Sequence, residues 1–157
     1  PTTPGSPGPV GGIRGPVPLA ARADARVDGY VGGAFGAGLC VFVGVTHDDG
    51  DVEADRLTAK LAGLRILDDD AGVMNRSVVD TRGEVLMVSQ FTLYGDTTRG
   101  RRPTWSSAAP PEHAEPLFDR VVDGLRARGV AVATGQFREH MVVELVNDGP
   151  ATLMVEV

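Results

Sequence analysis

Residues 84–94 read EVLMVSQFTLY. Val85 to Val88 form an apolar run suited to a fully buried strand, and Ser89, Gln90, Phe91 and Thr92 follow it at once. Burying three polar side chains costs free energy unless each finds a partner, so this polar knot needs something to face. Immediately beyond it, GDTTRGRRPTW brings Arg99, Arg101 and Arg102 close to Trp105. Basic residues beside an aromatic ring suit a phosphate backbone and a stacked base; a solvated charged loop with an anchoring tryptophan is the plainer reading. The other stretch able to do chemistry is NDGPAT at 147–152, which reads as a tight turn between two strands, with Asn147 ahead of Gly149-Pro150. A Gly-Pro turn can aim backbone carbonyls in unusual directions, though by itself it specifies no reaction.

Familiar catalytic constellations are missing. The chain has no G-x-S-x-G elbow, P-loop, H-E-x-x-H or C-x-x-C. His47, His113 and His140 fall in turn and helix-start segments, so a Ser-His-Asp triad would need convergence from scattered positions. Cys40 lies inside an apolar run and reads as a small core hydrophobe rather than a nucleophile. Asp68 to Asp70 lack the spaced ligands of a calcium loop and read as a solvated turn. Neither a metal site nor a cofactor is expected.

The elements that must position these stretches belong to one domain, since 157 residues suffice to bury about two-thirds of the extended chain's surface. Hydrophobic residues at 42% and charged residues at 23% place the chain in the soluble globular class. A single cysteine can form no internal disulfide, which makes a reducing, cytoplasmic setting the default. No apolar run reaches the roughly 18 residues of a membrane span. The net charge of −6 argues against coating nucleic acid through many phosphate contacts, yet permits a grip on a few terminal nucleotides. Neither a membrane nor DNA is expected as a partner.

Six prolines and five glycines in the first 18 residues predict disorder through residue 12, with the folded domain over 13–157. The pattern then predicts a hairpin around Asp28-Gly29, a core strand over 39–45 and an amphipathic helix over 51–67, with Ala54, Leu57, Leu61 and Leu64 on one face. A strand at 64–67 leads through a turn-rich excursion to a long buried strand over 84–94. A second helix buries Leu117, Phe118, Val121, Val122 and Leu125, tolerates Pro116 only in its first turn and stops at Gly129. Strands follow near 130–134, 141–146 and 152–157. Without a strict βαβ repeat, the expected fold class is α/β, a mixed sheet or partial barrel with two main amphipathic helices packed outside.

Taken together, SQFTLY (89–94), GRRP (100–103), an amphipathic helix, Gly135, Phe137 and Met141 as G-x-F-x-x-x-M, and NDGP-x-T closely resemble the D-aminoacyl-tRNA deacylase family. The similarity runs from about Val27 to the C-terminus, with Gly38-Leu39, Gly44-Val45 and Met74-Asn75 also in register. The resemblance implies a proofreading hydrolase that cleaves the ester linking a D-amino acid, or achiral glycine, to the terminal adenosine of tRNA. It implies that Ser89, Gln90, Phe91 and Thr92 line the site, with the Phe91 N–H toward the scissile carbonyl. Thr92 would be a nucleophile or, since no base for it is identifiable, a positioning hydroxyl.

By the same resemblance, Gly149 and Pro150 police chirality, reaching from one subunit of a homodimer into the site of the other and rejecting L-aminoacyl esters. Phe137 and Met141 would border the terminal adenine, unless they serve only the core. Asn147, Arg99, Arg101 and Arg102 would bind substrate, the partner being the 3′ acceptor end of aminoacyl-tRNA. The chain departs from the family twice. Pro18-Leu19 stands where the family's first strand carries Gln-Arg, an arginine that helps hold the Gly-Pro unit; Arg22 or Arg26 is the candidate substitute. Pro16 and Pro18 also remove ladder donors and permit at most an edge strand. Arg138-Glu139 replaces the usual Gly-Ala, which bears on adenine access. Two alternatives stay open: a catalytically weakened tRNA 3′-end-binding homologue, and a sister editing deacylase with relaxed chiral selectivity.

Overall fold

The computed structural model describes residues 14–27, 30–35 and 38–157. The Pro/Gly-rich segment through residue 12 and the Asp28-Gly29 turn lie outside the described residues, as do the side chains of Arg22 and Arg26. Strand β1 (Arg14–Val27) is the spine of a six-stranded mixed sheet. Along one edge it pairs antiparallel with β2 (Tyr30–Phe35) and then β3 (Gly38–Val43) in one continuing register, Ala23 opposite Phe35 and Ala20 opposite Gly38. Along its other edge lies β8 (Val142–Glu156). From β3 the sheet continues in parallel to β6 (Glu84–Ser89) and β7 (Ala131–Thr134). The sheet stays open rather than closing into a barrel.

Pro16 and Pro18 sit where, among the described residues, β1 pairs with β8 alone, opposite Met154 and Thr152. Their missing N–H groups therefore interrupt no two-sided ladder, and β1 as a whole is central rather than the edge strand expected. Residues 141–146 and 152–157 are likewise not two strands joined by a hairpin turn. Both stretches pair with β1 in the same direction, as parts of β8: Thr152 stands opposite Pro18 and Asn147 opposite Ala20, so residues 148–151 face Leu19 alone.

Alternate residues of β3 and β6 face opposite sides. Leu39, Val41, Val85 and Met87 pack with Leu57 and Leu61 of α1 (Asp51–Gly63) and with Leu117, Val121 and Leu125 of α3 (Pro111–Ala127). Cys40, Leu86 and Val88 form a second core with Val143 and Leu145 of β8. Strands buried on both faces are the reason LCVFV and VLMV read as unbroken apolar runs. The turn-rich excursion holds a small hairpin, β4 (Leu67–Asp68) with β5 (Met74–Arg76), and the short α2 (Val78–Thr81).

Helix α1 stops one turn earlier than expected. The chain becomes extended at Leu64 (ψ 122°) and drops Ile66 into the core. Helix α3 starts at Pro111, so Pro116 stands in its second turn rather than its first; there the ring removes the bond that would reach the Glu112 carbonyl. Gly129 ends α3 as expected. At φ 83° it adopts a left-handed conformation, and Val130 N–H reaches back to the Leu125 carbonyl at 3.1 Å.

Candidate active site

The expected strand over 84–94 leaves the sheet at Ser89. Gln90 N–H donates to the Val43 carbonyl at 2.7 Å, using the last acceptor β3 offers, and Phe91–Tyr94 then winds into a single 3-10 turn closed by Leu93 N–H on the Gln90 carbonyl at 3.2 Å. Ser89 and Gln90 are half-buried, while Phe91 and Thr92 are exposed. The polar knot thus marks the strand's exit from the core, and its side chains escape the full cost of burial. Gly44 makes room for the exit, because a Cβ there would stand 3.2 Å from the Gln90 carbonyl oxygen and 3.1 Å from Leu93 Cβ.

This exit opens on a cavity of about 610 Å³ at the carboxyl ends of β3 and β6, where parallel strands of α/β folds commonly present ligands. Ser89, Gln90 and Phe91 line it beside Val43, Val45 and Val88. Ala109 contributes from just before α3, Pro111 and Ala114 from its first turn, and Phe137 to Met141 from the segment between β7 and β8. Five of the residues singled out in the sequence therefore meet here: Ser89, Gln90, Phe91, Phe137 and Met141. Phe137 also packs against Phe118, with ring centroids 6.1 Å apart, and Met141 against the Cys40–Leu86–Val88 core. Both residues thus line the cavity while packing on the core.

The remaining residues are not part of the cavity wall. Thr92 Oγ1 accepts a hydrogen bond from Gln90 Nε2. Arg99, Arg101 and Arg102 are exposed on a loop whose ends, Asp96 and Thr104, exchange two backbone hydrogen bonds of 2.9 Å. Asn147 is exposed on β8, its Nδ2 3.0 Å from Thr152 Oγ1. Sequence reasoning missed His140 and the apolar lining residues, and raised Arg138 and Glu139 only as departures. Arg138 adopts φ 68°, a left-handed conformation that costs a non-glycine residue roughly 1–3 kcal/mol. No periodicity marks Val45, Ala109 or Pro111, which meet only through the topology.

Two histidines are committed to backbone carbonyls: His113 Nε2 lies 2.6 Å from Asp49 O and His47 Nε2 2.7 Å from Ser106 O. Burial pushes the Cys40 thiol up to about 11, consistent with a core hydrophobe rather than a nucleophile. Asp69 Oδ1 accepts from the Ala71 and Val73 N–H groups at 2.9 and 3.0 Å, so the aspartate triplet builds a turn, as expected.

A family model described as D-Tyr-tRNA(Tyr) deacylase matches residues 19–156. The chain belongs to this family. A D-aminoacyl-tRNA deacylase of Heliobacterium modesticaldum is 56% identical over 135 residues, covering 86% of this chain and 90% of that protein. Its counterpart in Symbiobacterium thermophilum is 51% identical over 144 residues, covering 92% and 95%. Among solved structures, the c-Myc DNA unwinding element binding protein superposes with a TM-score of 0.85 at 32% identity, covering 92% of this chain and 98% of that one. A probable eukaryotic D-amino acid tRNA deacylase gives a TM-score of 0.81 at 18% identity, covering 93% and 100%, a likeness of fold. The deacylase family match spans every residue of the cavity wall. Among the described residues, no helix is long and apolar enough to cross a membrane.

Proposed function

We infer that this chain hydrolyses the ester joining a D-amino acid to the terminal adenosine of tRNA, releasing both. One juxtaposition carries the reading: in a chain 56% identical to a D-aminoacyl-tRNA deacylase, Ser89, Gln90 and Phe91 share a cavity with Phe137 and Met141. An aminoacyl ester is already activated, so the site must place water and stabilise an oxyanion rather than supply a strong nucleophile. Phe91 opens a helical turn, and the first N–H groups of such a turn have no partner within it; the Phe91 N–H is the oxyanion donor of this reading. Thr92 positions, and a ribose hydroxyl of the tRNA assists the attacking water. The adenine rests against Phe137 and Met141, with Arg138 and Glu139 beside it. Arg99, Arg101 and Arg102 meet the tRNA, and Asn147 acts through the excursion that it braces.

Chiral selection falls to Gly149 and Pro150 of a second subunit, which crowd an L side chain while passing glycine. Their place on an excursion from the β1 ladder supports this. So do the exposed Val142, Val146, Leu153 and Met154 of β8, apolar surface that a homodimer would cover. The setting is cytoplasmic, where charged tRNA is found. Purified protein incubated with D-aminoacyl-, L-aminoacyl- and glycyl-tRNA tests the reading. Hydrolysis of the D and glycyl esters alone supports it, binding without turnover overturns it, and comparable hydrolysis of the L ester overturns the filter.

A further inference from the structure

Phe91 and Trp105 meet edge to face, their ring centroids 5.5 Å apart at an interplanar angle of 75°. Both remain exposed, by 55% and 42%. Phe91 lines the cavity, so Trp105 stands one ring contact away from its wall. A loop-anchoring tryptophan ordinarily buries most of its ring. This one lies across Gly95, where a Cβ would fall 2.5 Å from ring carbon Cζ3, so backbone seats the ring while much of it stays open to solvent. The adjoining loop, closed by the Asp96–Thr104 backbone pair, carries Arg99, Arg101 and Arg102. The one acid between Gly95 and Trp105 is Asp96, whose Oδ1 accepts from Thr98 N–H at 2.9 Å and Thr98 Oγ1 at 2.7 Å. Positive charge therefore prevails here in a chain of net charge −6.

We propose that Trp105, braced by Phe91, is a stacking platform for the single-stranded nucleotides immediately 5′ of the substrate's terminal adenosine, with Arg101 and Arg102 on the phosphates that link them. The proposal rests on the deacylase reading and extends its site beyond the terminal nucleoside. An aromatic face accepts any base, and guanidinium groups neutralise phosphates without reading sequence. This part of the site grips, and the cavity discriminates.

Trp105 is the chain's only tryptophan, so its emission reports on the platform alone. Titrating the wild-type protein with the unacylated ribotetranucleotide ACCA should quench that emission saturably, whereas adenosine alone should quench it far less. For two phosphate contacts to a single strand, affinity should fall roughly sevenfold between about 50 and 200 mM salt. Trp105→Ala should weaken binding of end-labelled ACCA, read by anisotropy, roughly tenfold, and Trp105→Phe should restore most of it. Absence of quenching by ACCA, or equal affinity in Trp105→Ala, would overturn the proposal. Emission that shifts with protein concentration and not with RNA would mark a subunit contact and overturn it as well. The oligonucleotide carries no ester, so the two readings fail separately: deacylation without quenching removes the platform alone, and quenching without deacylation removes the catalytic reading alone.

Discussion

Asn147 Nδ2 donates to Thr152 Oγ1 at 3.0 Å, joining the two β8 residues that flank the excursion carrying Gly149 and Pro150. Residues 148–151 have only Leu19 opposite them, so the ladder holds their backbone lightly and this side-chain bond spans their base. An exposed hydrogen bond contributes only about 0.5–1.5 kcal/mol to global stability. Asn147→Ala should therefore lower the melting temperature by no more than about 2–6 °C. Misplacing a positioning element by about 1 Å can cost a hundredfold in rate, so kcat/KM for D-aminoacyl-tRNA should fall at least about tenfold. Thermal melts read beside deacylation rates check this. A rate that tracks the folded fraction and nothing more would reduce Asn147 to a stabilising residue.

Thr92 Oγ1 accepts from the Gln90 amide. That neighbour is a donor with no basic lone pair, so it cannot take a proton from the hydroxyl. On the proposed reading the hydroxyl therefore positions rather than attacks. Thr92→Ala should lower kcat by less than about tenfold, near the worth of one hydrogen bond, and a quenched-flow search should find no acyl-enzyme. A fall to the uncatalysed rate would assign Thr92 the covalent role instead.

What the sequence displayed and what it hid differ in kind. Val85 to Val88 and Leu39 to Val43 announced buried strands because both their faces meet apolar neighbours, and the apolar stripe of α3 announced its buried face. Local pattern records burial; it does not record partners. Nothing in NDGPAT says that the strands on either side share β1 as neighbour, and a Gly-Pro sequence between two strands reads as a hairpin until that pairing is known. The strand end at Ser89 is set by β3, whose Val43 carbonyl is the last acceptor Gln90 can reach. The cavity was legible only where side-chain chemistry was conspicuous, as at Ser89 to Phe91. Ala109 reaches it through its N–H on the Val45 carbonyl, and Pro111 and Ala114 follow at the start of α3, a tertiary fact without a local signature.

Arg120 ties α3 to α1 with a two-pronged pair, Nε on Asp55 Oδ1 at 2.8 Å and Nη2 on Oδ2 at 3.0 Å. The hydrogen bond from Arg120 holds the Asp55 carboxyl below its ordinary value of 3.8. The Gly50 N–H does the same for Glu53, whose ordinary value is 4.5. Backbone N–H groups of Val73, Ser77 and Thr98 depress Asp69, Asp80 and Asp96 in turn. In every case the folded value lies below the unfolded one, so the stabilisation is present above the unfolded values and lost as pH falls through the folded ones. Urea midpoints should therefore stay level from about pH 8 to 5.5 as far as these groups are concerned, then decline below about pH 4.5. These carboxylates are exposed, solvent screens each of them, and the individual contributions are small. Asp55→Asn isolates one: its midpoint deficit at neutral pH should shrink as pH falls and the wild-type carboxyl takes up its proton. A deficit independent of pH would trace the loss to helix packing rather than to charge.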